Sequence, residues 1–128
     1  MVRAEGPMTQ DVIPEDIRLF IDAYISSIAQ LEALVLLRGS PDAWGIADLA
    51  GRLYVANEQA GEALDALVAV GLLNADNGKY RFSDKNPHGE IIDRLLALYA
   101  SHLIPVTNLV HRKPKVSAFA EAFRLRRD

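Results

Sequence analysis

Glu58 and Glu62 stand one helical turn apart, the spacing at which two carboxylates share a face and one can serve as acid while the other serves as base. That chemistry needs a cleft to push their proton affinities apart, and the residues around them place both on a convex stripe facing water. The three histidines, His88, His102 and His111, lack the spacing of a metal site, and no cysteine is present to offer a thiolate ligand or a disulfide. His102 falls on or beside an apolar stripe, where a hydrogen-bonded structural histidine is expected; His88 and His111 read as surface residues. No Gly-rich phosphate loop follows a strand, and no G-x-S-x-G elbow occurs. These residues predict no enzyme and imply no metal or cofactor.

The acidic pair belongs to the segment IADLAGRLYVANEQAGEALDALVAVGLLNADNGKYRF, residues 46–82. Ile46, Leu49, Ala50 and Leu53 recur at helical spacing, and so do Ala60, Ala63, Leu64, Leu67 and Val68. Asn57 is the expected N-cap of the second helix, and Gly71 the left-handed residue that closes it. Leu72 and Leu73 are expected to start a strand, Asp76-Asn77-Gly78 to turn it, and Tyr80-Arg81-Phe82 to return. This order resembles the winged helix-turn-helix superfamily, in the manner of small MarR-related bacterial regulators, at Leu49-Ala50, Leu53, Leu64, Leu67, Gly71-Leu72-Leu73, Gly78 and Tyr80. The resemblance covers under a third of the chain. It implies a second helix that enters the DNA major groove and a hairpin wing that touches backbone or minor groove.

The outward face of that second helix is chemically unsuited to the role. At roughly 100° per residue, the side opposite the apolar stripe carries Glu58, Glu62, Asp65 and Ala69, with Gln59 at its margin. The helix holds no Lys, Arg, Ser or Thr. DNA carries one charge per ~1.7 Å of axis, and affinity comes largely from neutralising it. Each carboxylate on a groove-facing stripe adds repulsion of roughly 0.5–1 kcal/mol at moderate range in water. Only Gln59 offers a bidentate partner for adenine.

Charge is unevenly distributed along the 128 residues. Residues 39–75 hold one basic and five acidic side chains, whereas residues 111–128 hold six basic and two acidic. Half of the residues are apolar, so a single globular domain with a real core is expected. The expected divisions are a loose arm over residues 1–13, a mostly α winged-helix domain with flanking helices over residues 14–110, and a basic tail over residues 111–128. The start has no apolar signal-peptide core, and the longest apolar stretch, residues 91–110, is broken by Asp93, Arg94 and His102. That interruption leaves no membrane span expected, and the lack of cysteine fits a reducing cytoplasm.

The flanks supply the rest of the core. Pro14-Glu15-Asp16 opens a helix with Ile17, Phe20, Ile21, Tyr24 and Ile25 on its apolar face. Ser27 to Gln30 fits a capping box, so a second helix is expected after a sharp joint near Ser26, ending at Gly39-Ser40-Pro41. Asp42-Ala43-Trp44 is a short strand for the wing to pair with, and Trp44 a packing residue. After a loop at residues 83–86, Pro87 is expected to start the longest helix, kinked by Pro105. Its stripe, from Ile91 to Val110, is broad enough to suggest a twofold dimer. In the tail, Ser117 caps a short helix whose Phe119 and Phe123 share a face and need a docking surface.

Two functions compete on these residues. One is a non-catalytic, transcription-linked regulatory module acting through protein association, with Glu58, Gln59, Glu62 and Asp65 against a basic surface. The other is a DNA-binding regulator that holds phosphates with Lys79, Arg81 and Lys85 near the wing and with Arg112, Lys113 and Lys115 in the tail.

Overall fold

The computed structural model describes residues 12–112. Six helices make up 64% of these residues, beside one three-stranded antiparallel sheet. In chain order they are α1 (Glu15–Tyr24), α2 (Ile28–Arg38), β1 (Trp44–Gly45), α3 (Ile46–Leu53), α4 (Asn57–Ala69), β2 (Asn74–Asp76), β3 (Lys79–Arg81), α5 (Gly89–Ser101) and α6 (Leu103–Arg112). The protein is mostly α. Among the described residues no single helix is long and apolar enough to cross a membrane.

The expected joint near Ser26 is sharp: α1 and α2 meet at 106°. Ile25 and Ser27 are extended, and Ser27 Oγ accepts from Gln30 N at 3.2 Å, capping α2. Gln30 does not return to the backbone N–H of the cap residue, as a capping box would have it. Its Oε1 accepts from Ser26 N and its Nε2 donates to Ser26 Oγ, both at 2.9 Å. Gln30 is 6% exposed, so these bonds are what makes a buried amide tolerable.

α2 runs through the middle of the body, with Leu31, Ala33, Leu34 and Leu37 buried, and packs on α3, α4 and α6. On α4, Ala60, Ala63, Leu64 and Leu67 are buried, and the small residues allow close approach to α2 and α3. The residue capping α4 is Ala56, without a side-chain bond; Asn57 is already inside the helix and exposed. The chain reaches Ala56 through Tyr54, which adopts φ 59° and is 94% exposed. At the other end, Gly71 (φ 84°) closes α4: Leu72 N donates to Leu67 O at 2.9 Å and Gly71 N to Val68 O at 3.0 Å.

Leu72 and Leu73 do not start the strand as expected. Both are buried in the core, and pairing begins at Asn74. Asn77 (φ 54°) and Gly78 (φ 74°) form the two-residue turn, a conformation that matches the twist of antiparallel strands. The sheet order is β1-β3-β2, with Trp44 opposite Tyr80 and Asp76 opposite Lys79. The first strand is Trp44–Gly45, two residues later than the expected start at Asp42.

α5 begins at Gly89; Pro87 and His88 lie in a preceding turn. His88 is half-buried beside the rings of Tyr24 (4.9 Å) and Phe20 (5.7 Å), not a free surface residue. The break expected at Pro105 comes three residues earlier, at His102. Proline bars a helical bond to Ser101 O, the carbonyl four residues back, so the helix ends there and Pro105 sits in the first turn of α6. His102 is exposed, with Nδ1 2.8 Å from Ser101 Oγ, and so lies off the buried stripe. That stripe narrows to Ile92, Leu95, Tyr99, Val106 and Val110. α6 continues through His111 to Arg112, past the expected domain edge at residue 110.

Two arginine clamps tie α5 to the N-terminal helices. Arg94 grips Asp16 with contacts of 2.6 and 3.1 Å. Arg38 grips Asp93 at 2.7 and 2.9 Å while its guanidinium lies 4.7 Å from the Phe82 ring centre. The arginine hydrogen bonds hold both carboxyls below the ordinary aspartate range. A depressed folded-state pKa gives stability that is complete above the unfolded value, about 3.9, and is lost as pH falls through the folded value. Acid unfolding followed by circular dichroism should therefore show stability declining below about pH 4. The decline should be shallower in Asp16→Asn/Asp93→Asn; an unchanged profile would assign the acid sensitivity to other groups.

Candidate functional site

The surface of α4 between the hairpin and the α1–α2 joint carries the acidic residues singled out in the sequence. Glu58, Gln59, Glu62 and Asp65 are all exposed. Helical geometry spreads them across adjoining sectors: Gln59 and Glu62 lean toward α1 and α2, Asp65 toward the sheet. Tyr80 Oη donates to Asp65 Oδ1 at 2.7 Å, so Asp65 is fixed by the hairpin. That bond, aided by burial, holds the Tyr80 phenol above its ordinary pKa and keeps it a donor. Among the described residues no Lys or Arg forms an ion pair with Glu58, Glu62 or Asp65; Arg38 and Arg94 pair with aspartates elsewhere.

Beside this stripe lies an open cleft of 820 Å³. One wall is the α1–α2 joint, from Asp22 to Gln30; the other is α4, through Gln59, Glu62, Ala63, Ala66 and Val70. The cleft exists because the joint turns α1 away from α4 and because alanines on both walls leave the space between them unfilled. Sequence reasoning missed it, although the capping residues at Ser27 and Gln30 marked the bend that produces it. No described residue lining it is basic.

The basic candidates sit elsewhere. Lys79 and Arg81 are exposed on β3 and alternate with buried Tyr80, so they point to the opposite face of the sheet from the Tyr80–Asp65 bond. Asp76 stands directly across from Lys79, and Asn74 across from Arg81, on that same face. The outer face of the hairpin therefore nets a single positive charge. Lys85 is exposed in the loop after the hairpin, next to the exposed Asp84, and Arg112 is exposed at the end of α6. Lys113, Lys115, Phe119 and Phe123 lie outside the described residues. Trp44 is half-buried; its Nε1 donates to Ser40 Oγ at 3.1 Å and Arg52 lies 5.5 Å from its ring centre. Among the described residues no group of three or more His, Asp or Glu side chains is arranged to hold a metal ion.

Charge agrees with this division. Residues 12–112 hold eight Lys and Arg against thirteen Asp and Glu, a net of −5. No family model, curated protein or solved structure matches the chain.

The Tyr80–Asp65 bond is the one polar tie between α4's acidic face and the hairpin among the hydrogen bonds described. Tyr80→Phe should lower unfolding free energy by about 1 kcal/mol in a denaturant melt, the usual net value of such a bond. An unaltered midpoint would mean that Asp65 is held by packing alone.

Proposed function

We propose that this protein is a non-catalytic winged-helix module of a regulatory, transcription-linked assembly, acting mainly through protein association. The order of α3, a short turn, α4 and a β-hairpin paired to β1 supports the winged-helix reading, with α4 in the place of a recognition helix and Asn77-Gly78 at the tip of the wing. The observation that carries the functional reading is the exposed, cation-free run Glu58, Glu62 and Asp65 on the outer face of α4. A polyanion is repelled there, while a basic protein surface is attracted, with charge setting partner choice and encounter rate more than final affinity. Lys79 and Arg81 are the residues through which DNA binding would still operate, and Asp76 opposes them.

The two readings separate in a titration against mixed-sequence duplex at low and moderate salt. The wild-type chain is expected to show no salt-steep binding, whereas Glu58→Lys/Glu62→Lys should gain at least about tenfold in affinity at low salt. Salt-steep wild-type binding that weakens in Lys79→Ala/Arg81→Ala would replace the association module with a DNA-binding regulator.

The same proposal includes a twofold dimer. Leu103 and Ile104, 51% and 64% exposed at the start of α6, are the apolar residues that a second copy would cover. Sedimentation equilibrium should return twice 14.1 kDa, falling to the single-chain mass in Leu103→Asp/Ile104→Asp. A wild-type monomer at all concentrations would refute the dimer.

A further inference from the structure

We propose that the cleft between the α1–α2 joint and α4 is the docking site of the chain's own C-terminal segment, residues 113–128. Phe119 and Phe123 would occupy the floor, and the segment's basic residues the acidic rim. This rests on the reading of α4 as a surface for protein segments and names the first segment it takes.

Shape, charge and connectivity converge on this occupant. A cleft of 820 Å³ is within the range that accommodates a large organic ligand, and so has room for two aromatic side chains. Ala23 and Ala29 on one wall and Ala63 and Ala66 on the other offer small apolar contacts against which flat rings pack well. Phe119 and Phe123 are four residues apart, the interval that brings two rings to one helix face. The α4 side of the rim carries Glu62 and Gln59. Residues 113–128 hold five Lys and Arg against two Asp and Glu, a net of +3 facing a body of −5.

The segment also starts in the right place. It follows α6, which packs on both α1 and α2, the helices whose joint makes one wall of the cleft. Phe119 and Phe123 follow Arg112 by seven and eleven residues, which span up to ~24 and ~38 Å when extended, and that is the reach the docking uses. Linkage to the body gives it an effective concentration on the order of millimolar. A docked segment would cover Gln59 and Glu62, so an external basic partner would have to displace it. The tail is then a built-in competitor for the acidic surface.

The absence of cysteine from the 128 residues allows a clean test in this chain. Ala66→Cys in the cleft is combined with Ala120→Cys in the tail, and disulfide formation is followed on denaturing, non-reducing gels. The control pairs Ala120→Cys with Asp84→Cys, a position whose side chain is 98% exposed away from the cleft lining. Circular dichroism verifies that each variant is folded. Within-chain cross-linking of the cleft pair should be at least about tenfold faster than the control. Adding Phe119→Ala/Phe123→Ala, or Glu62→Lys, should slow it several-fold. Equal rates for both pairs, a product linking two chains, or indifference to those substitutions would overturn the proposal. Salt-steep duplex binding would defeat the functional reading instead, and leaves this cross-linking result to be judged separately.

Discussion

The amide of Gln30 holds the bend on which the molecule is built. It accepts from the Ser26 backbone and donates to the Ser26 hydroxyl, while Ser27 caps the helix that follows. Leaving that amide unpartnered in the core would cost roughly 1–3 kcal/mol, so the bonds fix where the chain turns. Because it turns there, α1 is free to lie against α5 and α2 is left to run through the centre, touching α3, α4 and α6. The same bend parts α1 from α4 and opens the cleft. Fold and candidate site are thus two results of one buried polar cluster.

Electrostatics then separates the surface into regions with different prospects. The outer face of α4 is acidic, and the hairpin, whose cations face the other way, is nearly balanced by Asp76. Arg38 and Arg94 spend their charge on structural clamps to α5 and are unavailable to an outside anion. Of the other Lys and Arg, five fall within the sixteen residues after Arg112, the densest basic run in the sequence. The described residues carry a net of −5, and the outer face of α4 is their exposed acidic side.

Much of the fold was legible in the sequence wherever periodicity and a strong capping residue agreed. The α1–α2 joint, the closure of α4 at Gly71 and the Asn77-Gly78 turn follow from local rules that the tertiary structure does not contest. Boundaries shifted where two rules competed. Asn57 is a better cap than Ala56 in isolation, but Tyr54 takes the left-handed conformation and brings the chain into the helix one residue sooner. Leu72 and Leu73 have strand-like character, yet burial in the core claimed them before pairing began. Pro105 announced a break without saying that it would fall at the carbonyl it obstructs. The acidic face of α4 was readable from helical geometry; the cleft was not, since it depends on the angle between two helices that no local pattern encodes.

The lone tryptophan gives the molecule an internal optical gauge. Trp44 sits in β1 across from Tyr80, half-shielded, with its indole N–H on Ser40 and a guanidinium over its ring. Indole emission responds to water access and to nearby charge, so any event that loosens the pairing of β1 with β3 or moves Arg52 changes the colour or yield of a single, unambiguous chromophore. Since Tyr80 also bonds to Asp65, the gauge is mechanically connected to the acidic helix. A change at that helix is therefore open to direct spectroscopic observation, without attaching a dye.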